Sequence, residues 1–123
     1  MKRIAFGFAA FLSFAGTSLA AEAWKTVDTS AGKVYADAAG MTLYTFDKDA
    51  ANASNCYDEC AAMWPPFKAD ATAKAAGDWT IVSRKEGAQM WAYEGKPLYT
   101  YSKDKKPGDT TGDGVGSVWH VAK

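Results

Sequence analysis

A chain of 123 residues holds one domain with a modest core rather than several. Its 14 basic and 14 acidic residues cancel, and no basic stripe interrupts that balance, which argues against a nucleic-acid partner. The single histidine excludes a multi-histidine zinc site and leaves a Ser-His-Asp triad open only with His120 as its base.

Met1-Lys2-Arg3 is a basic start ahead of an apolar run from Ile4 to Ala15. Ser18 and Ala20 then place small residues at the −3 and −1 positions of a cleavage site. This is the layout of a secretory signal peptide, its apolar run shorter than the about 20 residues that span a bilayer. Cleavage is expected after Ala20, with Ala23 the alternative. Residues 1–20 are then the signal, and residues 21–123 form a periplasmic or secreted domain of net charge −2. No cysteine near that point can accept a lipid, and no transmembrane segment remains in the mature chain.

From Trp24 the chain repeats itself with a period of 55 residues, Trp24–Lys68 matching Trp79–Lys123 without a gap. The match has 12 identities in 45 positions, where average composition gives about three. Such a period dictates architecture before anything else does. Each unit opens with a tryptophan and a β-branched segment, Trp24–Val27 and Trp79–Val82, followed by turns at Gly32 and Gly87. A second strand follows, in unit two Gln89–Tyr93, with Trp91 and Tyr93 on one face of a two-residue period. Ala39-Gly40 and Glu94-Gly95 suit tight hairpins into a third strand, Thr42–Phe46 and Pro97–Tyr101. Tyr44 shares a face with Phe46, as Tyr99 does with Tyr101.

The units then diverge. Cys56–Met63 reads as a short helix stopped by Trp64-Pro65-Pro66, whereas Pro107–Gly116 reads as a loop. Ala69–Asp78 is a surface connector or a frayed helix. The expected fold is mainly β: two tandem repeats, 24–68 and 79–123, of antiparallel hairpins packed with pseudo-twofold symmetry, one short helix lying near Cys56–Met63. A lone hairpin is marginal in water, so the halves must share one core.

Tyr44-x-Phe46-x-x-Asp49 and Tyr99-x-Tyr101-x-x-Asp104 both spell Tyr-x-aromatic-x-x-Asp. With Cys56-x-x-x-Cys60, Trp64-Pro65-Pro66 and Gly112-x-Gly114-Val115-Gly116, they resemble a family of small bacterial secreted proteins and lipoproteins carrying that repeated motif. The resemblance spans nearly all of the mature chain and implies export and repeat architecture. It implies no chemistry.

The residues themselves offer several chemistries. Cys56 and Cys60, in an exported protein, are expected to close a disulfide; a reversible redox pair and a metal site are the alternatives. Asp49 and Asp104 read as turn caps bonded to backbone N–H groups. With Asp109 and Asp113 they read alternatively as oxygen ligands for a divalent cation. Tyr44 and Tyr99 are packing residues whose hydroxyls hold a loop, and Trp64 and Trp119 are core plugs. His120 with Cys56, Cys60 and Met63 or Met90 makes a soft copper set, provided the disulfide is open. The sequence has no phosphate-binding glycine loop, nucleophile elbow or His-Glu-x-x-His. The favoured function is a non-catalytic exported binding or accessory protein for a small ligand, a cation or an envelope protein. Thiol-redox or copper handling is the rival reading.

Overall fold

The computed structural model describes residues 23–123, so the signal-peptide reading of residues 1–20 lies outside the described residues. The elements run β1 (Trp24–Thr29), β2 (Gly32–Asp37), β3 (Tyr44–Phe46), α1 (Glu59–Met63), β4 (Trp79–Ser83), β5 (Gln89–Tyr93), β6 (Lys96–Pro97), a 3-10 turn (Val115–Ser117) and β7 (Trp119–Val121). The fold is mainly β, and every strand pair is antiparallel.

The two repeats have the same strand order, with one departure from the gapless alignment. Tyr35 N donates to Ala122 O (2.8 Å) while Tyr35 O accepts from Leu43 N (3.0 Å). Trp91 makes the same pair of bonds, to Phe67 O (2.9 Å) and from Leu98 N (3.0 Å). Tyr35 and Trp91 are therefore counterparts, one residue off the 55-residue shift that relates Leu43 to Leu98. The turns explain it. Residues 29–32 separate the paired Asp28 and Lys33, whereas the longer stretch 84–88 separates Ser83 and Gln89. The second turn reverses the difference: residues 37–41 lie between Ala36 and Thr42, but only 93–96 between Ala92 and Pro97. Glu94 (φ 52°) and Gly95 (φ 81°) make that tighter turn, both with the positive φ of a two-residue hairpin loop. Burial enforces the corrected register, because it puts Val34 and Met90 at equivalent places in one core.

The closing segments are exchanged. β7, which ends repeat two, pairs with β3 of repeat one in the register Tyr44↔Val121, and Ala122 N bonds Leu43 O at 2.8 Å. The end of repeat one returns the arrangement: Pro66 bridges Tyr99, and Phe67 N bonds Leu98 O at 2.9 Å. Between these lies the pseudo-twofold axis. There Tyr44 N donates to Tyr99 O (2.7 Å) and Tyr99 N to Tyr44 O (3.0 Å).

Side chains on both faces obey the same symmetry. On one face, four rings stack in the order Phe46, Trp119, Trp64, Tyr101, with centroids 4.2, 3.8 and 3.9 Å apart. A shift of one repeat reads that order backwards, so the twinned tryptophans meet at the axis. On the other face Trp24 and Trp79 stack at 3.9 Å and 5°, beside Trp91, Leu43 and Leu98. Large aromatic areas packed at preferred offsets contribute both burial and specific geometry. Gly112 makes the first stack possible: a Cβ there would stand 2.7 Å from Trp64 and 2.9 Å from Tyr101.

The helix is shorter than the Cys56–Met63 pattern suggests. Asp58 has φ 55°, which a right-handed helix cannot contain, so α1 begins at Glu59 and only Cys60 of the pair is helical. The connector from Ala69 to Asp78 forms turns and a bridge from Ala76 to Trp79, with no helix. No helix among the described residues is long and apolar enough to cross a membrane.

Candidate functional site

The motif tyrosines and aspartates meet, but across the repeats. Tyr44 OH donates to Asp104 Oδ2 at 2.7 Å, and Tyr99 OH donates to Asp49 Oδ2 at 2.7 Å. The hydroxyls hold loops, as expected, but each holds that of the other repeat, whose aspartate the exchange of the closing segments brings into reach. Each carboxylate also holds its own loop. Asp49 Oδ1 accepts from Asn55 N (2.6 Å), and Asp104 Oδ1 from the N–H and hydroxyl of Thr111. Both phenols are held far above the ordinary tyrosine range, first by burial and then by their carboxylate partner for Tyr44. For Tyr99 burial again leads, and Asp49 adds to it against a hydrogen bond from Ser54. They stay protonated and keep donating. Asp49 is itself raised, chiefly by burial, against the lowering effects of Tyr99, Asn55 and Arg84.

The other proposed oxygen ligands are engaged in turns. Asp109 Oδ2 accepts from Lys105 N (2.8 Å) and Lys106 N (3.1 Å), bonds that hold its carboxyl below the usual range. Asp113 Oδ1 accepts from Val121 N at 3.1 Å, fastening the loop to β7. No group of three or more His, Cys, Asp or Glu among the described residues is arranged to hold a metal ion.

Cys56 and Cys60 form a disulfide with Cα atoms 5.2 Å apart. His120 is separate from it in bonding: its Nε2 lies 2.8 Å from Asp47 Oδ2, both side chains about half exposed. Met90 is fully buried, and Met63 is an exposed residue whose sulfur accepts from Ser102 Oγ at 3.2 Å. Of the five residues named for a soft copper set, the cysteines are thus bonded to each other, while His120 and Met63 are bonded elsewhere and Met90 is buried.

Arg84 is the residue that sequence reasoning missed. Within Ser83-Arg84-Lys85-Glu86-Gly87 it reads as one charge of a solvated turn, yet it is only 4% exposed. Its Nη1 donates to Ser54 Oγ (2.9 Å), Nη2 to Cys56 O (2.8 Å) and Nε to Glu86 (2.7 Å), and its guanidinium lies 4.2 Å from the Tyr57 ring centre. Ser54 Oγ is 2.6 Å from Tyr99 OH. Because the Tyr99 proton goes to Asp49, Ser54 donates to Tyr99, which makes a directed chain Arg84→Ser54→Tyr99→Asp49. The Tyr44–Asp104 pair, the other of these two Tyr–Asp staples, has no such cation among the described residues; Gly112 N donates to Tyr44 OH at 3.2 Å. No local pattern marks Arg84 as buried, since Ser54 and Cys56, which accept from its terminal nitrogens, lie 30 and 28 residues away.

The loops beyond the staples differ as well. In repeat two the loop closes on its neighbour: Pro107 Cβ lies 3.0 Å from where a Gly40 Cβ would be, and Thr42 Oγ1 donates to Asp109 O at 2.6 Å. In repeat one, Asn52 N reaches Gly95 O at 2.8 Å, and a cleft of about 280 Å³ opens between Thr45–Ala51 and Glu94–Pro97. Its lining includes Asp47, Asp49 and Glu94 with Lys96, and the half-buried ring of Phe46.

A family model described as a secreted repeat of unknown function matches the chain twice, over residues 25–68 and 80–123, and the chain belongs to that family. No curated protein and no solved structure matches it.

Proposed function

We propose that this secreted-repeat protein is a non-catalytic binding or accessory module of the periplasm or the extracellular space, released by cleavage after Ala20, and that the repeat-one cleft is its contact surface. The observation that carries the reading is the asymmetry of the two loops. The stacked rings and the tyrosine pair at the axis keep the symmetry that packing imposes, whereas these loops break it and leave concave space beside an aromatic ring. The lining carries three carboxylates against one lysine, so it favours a small cation with an apolar body. Phe46 offers a ring face to such a group, backed rigidly by Trp119 at 4.2 Å.

Titration with benzyltrimethylammonium, followed by amide shifts and tryptophan fluorescence, tests this. Saturable changes at Phe46, Glu94 and Trp119, weakened in an Asp47→Asn/Glu94→Gln variant, support the cleft. Indifference to those two substitutions rejects it. A stoichiometric copper complex that disappears in His120→Ala would instead establish the metal-handling reading.

A further inference from the structure

We propose a second binding site, for a small aromatic acid, in the groove between the inter-repeat connector and the paired tryptophans Trp24 and Trp91. The groove has a volume of about 560 Å³, inside the about 300–1,000 Å³ typical of small-molecule pockets. Its aromatic side is rigid. Trp91 is 4% exposed and bonded by its backbone to Phe67 and Leu98. Trp24 stacks on Trp79 at 3.9 Å and meets Trp91 edge-on at 4.9 Å. The facing connector carries alanines too short to fill the space, and its path is fixed by bonds from Ala69 N to Gln89 O (2.9 Å) and Ala76 N to Trp79 O (2.8 Å).

Charge selects the ligand's sign. Lys68 and Lys74 line the groove, and neither enters an ion pair among the described residues. Among the described lining residues the one carboxylate, Asp70, is turned back onto Thr72, whose N–H and hydroxyl reach Oδ1 at 2.9 and 2.8 Å. The repeat supplies an internal control: Lys123, the counterpart of Lys68, is engaged in a structural bond to Ala31 O at 2.7 Å. Lys68 makes no such side-chain bond among the described residues, although its charge also helps to hold the Glu86 carboxyl low. Two ammonium groups beside an indole surface fit a flat apolar body bearing a carboxylate or sulfonate, the rings stacking while the acid meets the lysines.

Naphthalene-2-carboxylate is the probe, with 2-naphthylmethylammonium as its charge-reversed comparator, on the exported chain with its disulfide intact. Saturable shifts of the Trp24 and Trp91 indole N–H signals are expected for the acid, with affinity about tenfold lower in Lys68→Gln/Lys74→Gln and no saturation by the amine over the same range. Both lysines are exposed, so that variant keeps the fold. Equal affinity in the double variant, equal binding of the amine, shifts confined to other residues, or no binding at millimolar concentration would each overturn the proposal.

Discussion

The two Tyr–Asp staples have the same geometry and different surroundings. Tyr44–Asp104 ends on its own loop: the Gly112 N–H and the N–H and hydroxyl of Thr111 supply the remaining donors. Tyr99–Asp49 ends on a buried cation that also grips the carbonyl of Cys56, so it ties the staple to the disulfide loop. Duplication preserved the parts that pack on the axis, the tyrosines and the tryptophans Trp64 and Trp119. It left the outward connections free to diverge. The clefts and loops that differ lie in those diverged parts, which is why functional readings gather there and structural ones at the axis.

The largest effect comes from separating the halves. A fragment covering only the first repeat loses β7 and the whole partner of its stacked rings, and at that size no core compensates. Circular dichroism should find each isolated half without cooperative unfolding, and a 1:1 mixture should regain signal. A first-repeat fragment that melts cooperatively by itself would show that the exchange is dispensable.

Next in size is removal of the feature that makes the staples unequal. Arg84→Met keeps most of the volume but strips donors from Ser54 and the Cys56 carbonyl. Losing hydrogen bonds to buried groups costs about 1–3 kcal/mol, which in a domain this small lowers Tm by about 4–8 °C per kcal/mol. Thermal unfolding should show that loss, together with faster amide exchange around Ser54 and Cys56 and none around Thr111. Equal protection changes at both staples would mean that Arg84 acts globally.

The smallest effect separates the staples by pH. The Asp49 pKa is raised in the folded protein, so its contribution favours folding below the ordinary carboxylate range. That contribution is lost as pH rises through the raised value. Replacing it by Asn should flatten this segment of the stability–pH curve, visible as a smaller fall in denaturation midpoint on going upward from acid pH. An unchanged curve would assign the pH dependence to other groups.

Much of the fold was legible because a 55-residue period with tryptophans and glycines at fixed places can only come from repeated packing. The shared faces of Tyr44 with Phe46 and of Trp91 with Tyr93 follow from two-residue alternation. Three things were not legible. The one-residue slip of β2 against β5 is invisible because a longer first turn and a shorter second turn cancel in the numbering. The crossing of Tyr44 to Asp104 depends on exchange of the closing strands, a long-range event with no local signature. Arg84 is buried by a serine and a cysteine carbonyl from the other repeat, and charge in a turn ordinarily means exposure. Asp49, Asp104, Asp109 and Asp113 each accept from N–H or O–H donors of their own surroundings, partners that the twinned positions and the loop pattern do not display.

The repeats are interlocked, and the crossed staples report it directly. A double-mutant cycle pairing Tyr44→Phe with Asp104→Asn, set beside one pairing Tyr44→Phe with Asp49→Asn, reads which aspartate each tyrosine feels. Contacting residues couple by about 0.5–3 kcal/mol and distant ones add. Coupling in that range is expected between Tyr44 and Asp104, with near-additivity between Tyr44 and Asp49. The reverse result, coupling within a repeat and none across, would contradict the exchange on which the fold is built.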